Sequence, residues 1–312
     1  MTDEKKEPFV VRGNDWYVKA LDYKEIIYET NHDTHVAKIT LNRPKKMNAM
    51  TRRLQGELFH ALKVAERNNE INVIIIKGAG PSFCAGYDLQ LGGRDAEEPD
   101  CGSQYVGVTH RWEYLLNQYW QIWQLSKVVI AQTHGHVLAG GMHLCCLCDL
   151  LVTTPDCQFG EPMLRSAAGP DLMYQPWFLP MRKAAEMIYT GDSISGEEAY
   201  RLGMANYCVP EEDIDEFTDA FARRVALIPW QNHSLRKKSF HKAYELMGIR
   251  TAMEITAQMA EIIHQSEYDR KWAELREKMP LKEWLAMRDG PYKEAKAVEQ
   301  EILNRRKREW EV

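Results

Sequence analysis

Val128-Val129-Ile130-Ala131-Gln132-Thr133-His134-Gly135-His136-Val137-Leu138-Ala139-Gly140-Gly141 decides the architecture. Val128 to Gln132 reads as a buried strand. It runs into the Gly-interrupted segment His134 to Gly141, and a helix begins near Gly141 and carries Leu144 to Cys148. Leu150-Leu151-Val152-Thr153 reads as the next strand. Strand, helix and strand in this rhythm mean parallel βαβ units with buried strands.

Working upstream, Val73-Ile74-Ile75-Ile76-Lys77-Gly78 is a continuous β-branched run, the pattern of a strand covered on both faces. Gly80-Pro81-Ser82 is a loop, and Phe83 to Leu89 leads to an acidic, Gly-rich stretch from Gly92 to Gly102 that reads as a mobile loop. Ile26 to Thr30 and His35 to Leu41 form a hairpin around Asn31-His32-Asp33, the second strand alternating with period two. Met50 to Asn69 is helical, with Leu54, Leu58, Leu62 and Ala65 on one face. Trp112 to Leu125 is a helix whose stripe of Trp112, Leu116, Tyr119 and Trp123 reads as core or subunit contact.

Downstream of Pro180 the pattern becomes helical. Ser195-Gly196-Glu197-Glu198 is a helix start. Tyr207-Cys208-Val209 is a short strand and Glu211 to Ile228 an amphipathic helix. The chain from Ser234 is helix-rich and charged, and its last twenty or so residues form a helix that is solvated or lies on a partner subunit.

The chain has 312 residues, 45% hydrophobic and 27% charged, enough for a sizeable core in one large domain with an appendage or in two modest domains. A net charge of -5 argues against a general nucleic-acid binder. The opening Met1 to Val10 has no apolar core and mixes acids with bases, so it reads as neither a secretory signal nor a transit peptide. No apolar stretch is long enough to span a membrane. Seven cysteines, an odd number, with Cys145, Cys146, Cys148 and Cys157 clustered in an apolar setting, read as buried thiols in a reducing, cytoplasmic-type compartment rather than as a disulfide framework. They lack the paired spacing that a structural zinc prefers, and no metal is expected.

Two Gly-centred segments carry the chemistry: Ser82-Phe83-Cys84-Ala85-Gly86-Tyr87-Asp88-Leu89 and His134 to Gly141. Each follows a buried parallel strand, beyond whose carboxyl end ligands bind in open α/β layers. Glycine lets a ligand approach the backbone, and the free N–H groups where a helix starts favour negative charge.

These segments, with their neighbours, resemble the crotonase (enoyl-CoA hydratase/isomerase) family. His35 to Pro44 followed by Met47-Asn48-Ala49-Met50 is similar to its N-terminal motif, and Phe83 to Leu89 to its first oxyanion loop. Gly135 to Gly141 with Cys148-Asp149 is similar to its second loop. Phe159-Gly160-Glu161-Pro162, then Thr190-Gly191, Glu198-Ala199, Leu202-Gly203 and Val209-Pro210, follow in the family's order. The resemblance spans roughly residues 25–290. It implies an α/β crotonase (ClpP-like) fold of repeated ββα units with a C-terminal helical trimerisation region. The implied divisions are an N-terminal extension (1–24), a core (25–215) and C-terminal helices for oligomerisation (216–312). It implies an acyl-CoA substrate, CoA being part of that substrate and no separate cofactor being needed. It implies no nucleic-acid or membrane partner, and a homotrimer or a hexamer built as a dimer of trimers. The backbone N–H groups of Tyr87 and Gly140 would form the oxyanion hole. Arg43, Lys45, Ala85, Asp88 and Leu89 would lie along the CoA.

The sequence departs from the hydratase pattern at its two glutamates. His143 stands at the first position and Met163 at the second, and methionine cannot carry a proton. Asp171, in Gly169-Pro170-Asp171-Leu172, is a substitute carboxylate, His143 a second acid/base or a water-orienting group, and Glu161 a third candidate. Three readings stay open: a lyase or isomerase working through an enolate, a hydrolase of a thioester or of a C–C bond next to a ketone, and a CoA-binding homologue without chemistry.

Overall fold

The computed structural model describes residues 22–89, 108–166 and 169–310. The extension before residue 22 and the Gly-rich stretch Gly92 to Gly102 lie outside the described residues. In chain order the regular elements begin with β1 (Ile26–Asn31), β2 (Val36–Leu41), α1 (Arg52–Arg67), β3 (Val73–Gly78), α2 (Val108–Gln124) and β4 (Val128–Thr133). The middle of the chain forms β5 (His136–Leu138), α3 (Gly140–Cys146), β6 (Leu150–Thr153), β7 (Gln158–Gly160), α4 (Gln175–Phe178), α5 (Met181–Thr190), β8 (Ile194–Ser195), α6 (Gly196–Arg201) and β9 (Tyr207–Cys208). Five helices close it: α7 (Ile214–Ala226), α8 (Trp230–Leu246), α9 (Ile249–His264), α10 (Glu267–Lys278) and α11 (Leu281–Trp310).

Among the described residues the strands make a six-stranded sheet, β1-β2-β3-β4-β6-β9, and a three-stranded one, β5-β7-β8. Only the β1–β2 hairpin is antiparallel in the larger sheet. Alternation splits its buried runs between two cores. Val73, Ile75, Val128, Ile130 and Val152 face Ile214, Ala222 and Ala226 of α7. Ile74, Ile76, Val129 and Ala131 face Leu54, Leu58 and Leu62 of α1 and Trp120 of α2. Each such buried Ile or Val contributes roughly 1.5–3 kcal/mol of transfer free energy, and two covered faces make a stiff platform from whose ends the loops project.

Helix ends follow the sequence chemistry. The Thr51 hydroxyl accepts from Leu54 N at 2.9 Å, so α1 starts two residues later than periodicity alone suggests. Ser195 caps α6 by accepting from Glu198 N at 3.1 Å. The helix expected over Glu211 to Ile228 is instead a 3-10 turn, Glu211–Asp213, followed by α7. The smaller sheet is the main addition to the sequence reading, because strands of two or three residues carry no readable period.

A buried ion triad ties the helical part to the large sheet. Asp149 accepts from Val129 N at 2.8 Å, from Lys237 Nζ at 2.7 Å, and lies 3.0 Å from His241 Nε2. Lys237 also donates to the carbonyls of Ile122 at 3.3 Å and Lys127 at 3.0 Å. The His241 ring stacks on Trp123 with centroids 3.7 Å apart. Burial alone would raise the Asp149 carboxyl, but the Lys237 charge and His241 outweigh it and hold it below its ordinary value. Asp149→Ala strands a buried ammonium, and we expect denaturant melts to show a loss of about 3–5 kcal/mol.

Candidate active site

The two Gly loops are joined by backbone. Phe83 N donates to His134 O at 2.8 Å, Cys84 N to His136 O at 2.9 Å, and Leu138 N to Cys84 O at 2.9 Å. Packing leaves no room for side chains where they cross. A Cβ on Gly141 would sit 2.6 Å from Cys84 O, and one on Gly86 would sit 2.8 Å from Ala139 Cβ. Gly86 also has φ +90°, a region that glycine enters without strain. On the other flank Asn48 stitches the turn to this loop, its amide donating to Ala79 O at 2.9 Å and to Ser82 O at 2.7 Å.

This packing orients two peptide groups. Gly86 O accepts from Met50 N at 2.7 Å. In a planar trans peptide the N–H points opposite to the C=O, so the Tyr87 N–H is turned away from Met50. At the start of α3 the Ala139 carbonyl accepts from His143 N at 3.1 Å. By the same geometry the Gly140 N–H points out of the helix end, among the donors a helix leaves unpaired. Ala139 holds the unusual φ 48°, ψ −116° that this turn demands. The space a Cβ on Gly140 would take abuts the Tyr87 ring at 3.0 Å and the Tyr119 hydroxyl at 3.1 Å.

Behind these groups lies a set of buried polar side chains. His143, wholly buried on α3, is ringed by Tyr119 and Tyr174, edge-on at centroid distances of 5.4 and 5.8 Å, and by Tyr87 at 6.3 Å. Its Nδ1 lies 3.4 Å from the Tyr87 hydroxyl, and its Nε2 has no hydrogen-bond partner among the described residues. Burial pushes the imidazole down to about 3, so it is neutral at physiological pH. Glu161, at the end of β7, accepts from the Tyr174 hydroxyl and, at 2.9 Å, from Gln175 Nε2, while its Oε2 is unpartnered among the described residues. Burial raises this carboxyl to about 7 against those two hydrogen bonds. Asp171 is buried, and its charge helps burial and Tyr119 to raise the Tyr87 phenol. His143 and Glu161 are therefore both brought against Tyr174, and Asp171 lies near enough for its charge to act on the Tyr87 and Tyr119 phenols.

The residues expected along the CoA are arranged differently from one another. Arg43 is engaged: its guanidinium meets Asp88 Oδ2 at 3.0 Å, Glu25 Oε1 at 3.2 Å and the Ala49 carbonyl. That grip braces the first loop. Lys45 is exposed, Ala85 N donates to Met47 O at 2.9 Å, and the exposed Leu89 receives Arg276 of α10 on its carbonyl. Met163, at the second hydratase position, is half-buried. Cys84, Cys145, Cys146, Cys148 and Cys157 are buried free thiols, and burial pushes Cys84 and Cys157 up to about 12. A groove of about 260 Å³ between the hairpin and α7, lined by Glu29, Lys38, Asp219 and Arg223, contains none of the site residues. Tyr174, Gln175 and the Tyr87 and Tyr119 hydroxyls are site groups that sequence reading missed; Tyr119 was visible only as part of an aromatic stripe.

The family profile "Enoyl-CoA hydratase/isomerase" matches residues 31–283. EchA13 of Mycobacterium tuberculosis, which carries an enoyl-CoA hydratase name, is 35% identical over 249 residues, covering 75% of this chain and 78% of that protein. The human mitochondrial 3-hydroxyisobutyryl-CoA hydrolase is 33% identical over 196 residues, covering 61% of this chain and 48% of its own. The crystal structure of an enoyl-CoA hydratase/isomerase from Xanthobacter autotrophicus Py2 superposes with a TM-score of 0.76 at 30% identity, covering 86% of this chain and 98% of that one.

The Glu161 carboxyl gives a signed expectation. Its value rises from an ordinary 4.5 to about 7, so the folded form keeps a proton that the unfolded chain has released between those values. The associated stability is intact below about pH 4.5 and is lost as pH rises through about 7. Glu161→Gln should remove this slope, worth up to about 3 kcal/mol, from melts recorded across that window.

Proposed function

The chain belongs to the enoyl-CoA hydratase/isomerase family, and from that membership we propose that it acts on an acyl-CoA thioester through an enolate. The observation that carries this reading is the pair of peptide N–H groups, Tyr87 and Gly140, which two mutually locked loops leave without a backbone partner among the described residues. When the thioester becomes an enolate, negative charge gathers on its oxygen. Two fixed donors in a water-poor site stabilise that charge without reorganising, each worth about 2.7–4 kcal/mol. They discriminate in favour of the transition state because the charge is present only there.

Proton transfer then falls to His143, Glu161 and Asp171 in place of the two hydratase glutamates. A neutral imidazole is suited to accept a hydrogen bond from a water and orient it toward the β-carbon. Glu161, half-protonated near neutrality, is suited to give or take the α-proton, and Asp171 offers the second carboxylate. Water adds across the double bond, its hydroxyl to the β-carbon and a proton to the α-carbon. Isomerisation uses the same enolate and returns the proton elsewhere.

A second reading, thioester hydrolysis, is favoured by the 33% identity to the human CoA-ester hydrolase. A third, CoA binding without turnover, rests on Met163 at a position where the hydratase carries a carboxylate. The exposed apolar side chains Leu235, Phe240, Ile255, Met259 and Ile262 of α8 and α9 support assembly into a trimer or a dimer of trimers. No helix among the described residues is long and apolar enough to cross a membrane, and the free thiols favour a cytoplasmic setting.

Chromatographic separation and mass analysis of the products from a panel of enoyl-CoA esters separate the readings. Gain of one water with CoA still attached is expected; free CoA would indicate hydrolysis, an isomer of unchanged mass double-bond migration, and binding without turnover the third reading. Asp171→Asn should abolish turnover while leaving CoA-ester affinity nearly intact, and unchanged turnover would remove Asp171 from the mechanism. Light scattering should give a trimer or hexamer mass, and a monomer would sink the assembly.

A further inference from the structure

Four buried groups stand in line: His143 Nδ1, the Tyr87 hydroxyl at 3.4 Å, the Tyr119 hydroxyl a further 3.2 Å on, and Met50 Sδ another 3.2 Å beyond. The direction of donation is fixed at the sulfur end. A thioether has no proton and can only accept, so the Tyr119 hydroxyl donates to Met50. The Tyr119 oxygen then accepts from Tyr87, whose single proton is thereby committed. Only lone pairs on Tyr87 remain for the imidazole, so Nδ1 must carry the ring proton. That leaves Nε2 with a bare lone pair, and Nε2 is the ring atom without a partner among the described residues.

The main chain that carries the sulfur is itself held in place. Met50 N donates to Gly86 O at 2.7 Å and Met50 O accepts from Asp88 N at 3.0 Å, so the residues flanking Tyr87 clamp Met50 on both sides. The ring stays neutral across the working pH range. A neutral imidazole has one donor and one acceptor, so its tautomer decides which nitrogen can accept.

We propose that Met50 and Tyr119 are positioning residues which, through the Tyr87 phenol, hold His143 as its Nδ1–H tautomer and make Nε2 a fixed acceptor for a hydroxyl, either a water or a 3-hydroxyacyl group. The identity of that hydroxyl rests on the acyl-CoA reading; the tautomer does not. Removing the terminal acceptor frees the line to reverse. In Met50→Leu, a swap of similar volume, Tyr119 can donate to Tyr87 and Tyr87 to the ring, moving the proton to Nε2. Tyr119→Phe leaves the Tyr87 proton no acceptor but the ring among the described residues, with the same result.

Long-range nitrogen–proton correlation spectra of the full chain distinguish protonated from bare ring nitrogens. The wild type should show His143 protonated at Nδ1, and both variants should shift toward the Nε2–H form. With active esters, kcat should fall by about 100-fold in both while KM changes little. A wild-type proton on Nε2 overturns the proposal, and so does an unchanged tautomer in both variants, which is what a purely structural role for Met50 gives. Should a variant fail to fold, the wild-type spectrum still decides. The spectrum needs no substrate, so a chain inactive on every CoA ester but protonated at Nδ1 keeps the tautomer assignment and sinks the acyl-CoA reading.

Discussion

The short backbone ladder between Phe83-Cys84 and His134 to Leu138 is the constraint on which the site depends. It joins the loop after β3 to the strand after β4. Without it, each loop would be an independent excursion from the sheet, with its own conformational freedom. With it, the Gly86–Tyr87 and Ala139–Gly140 peptides become parts of one rigid body. The glycines at the crossing are consequences of this closeness, since a methyl group at Gly86 or Gly141 would collide with the opposing loop. Preorganised dipoles are useful in catalysis only to the extent that they are held still, and here the stillness comes from main chain.

The polar interior is arranged to be neutral where it can be. Burial lowers the His143 imidazole and raises the Tyr87, Tyr119 and Tyr174 phenols, so none of these is charged near neutrality. Against them, the Glu161 carboxyl, raised by burial to about 7, can change charge near neutrality. The separation of roles follows from which groups can ionise at low cost in a dry setting.

Much of the fold was legible in the sequence because long buried strands and amphipathic helices declare themselves. Val73–Ile76 and Val128–Ala131 are uninterrupted apolar runs, and α1 repeats leucine every fourth residue. The smaller sheet was not legible, because β5, β7 and β8 are two or three residues long and owe their pairing to neighbours far away in the chain. The site divides in the same way. The glycine-centred loops were legible, and Gly86 and Gly141 mark where they cross. The Tyr174–Glu161 bond and the Tyr119–Met50 contact bring together residues 13 and 69 positions apart with no local pattern to mark them. Arg43 likewise has partners that the sequence did not mark, its guanidinium meeting Asp88 and Glu25.

On the proposed reading Tyr87 contributes its amide to one task and its phenol to another, and this has a consequence for how variation at that position is read. Exchanging the side chain leaves the amide in place, so a tolerant or intolerant result there speaks of the phenol alone. The amide can be interrogated only by altering the main chain, as an ester linkage would. Two tasks then rest on chemically separate atoms of one residue, and another side chain there would keep the amide while disposing the neighbouring imidazole differently.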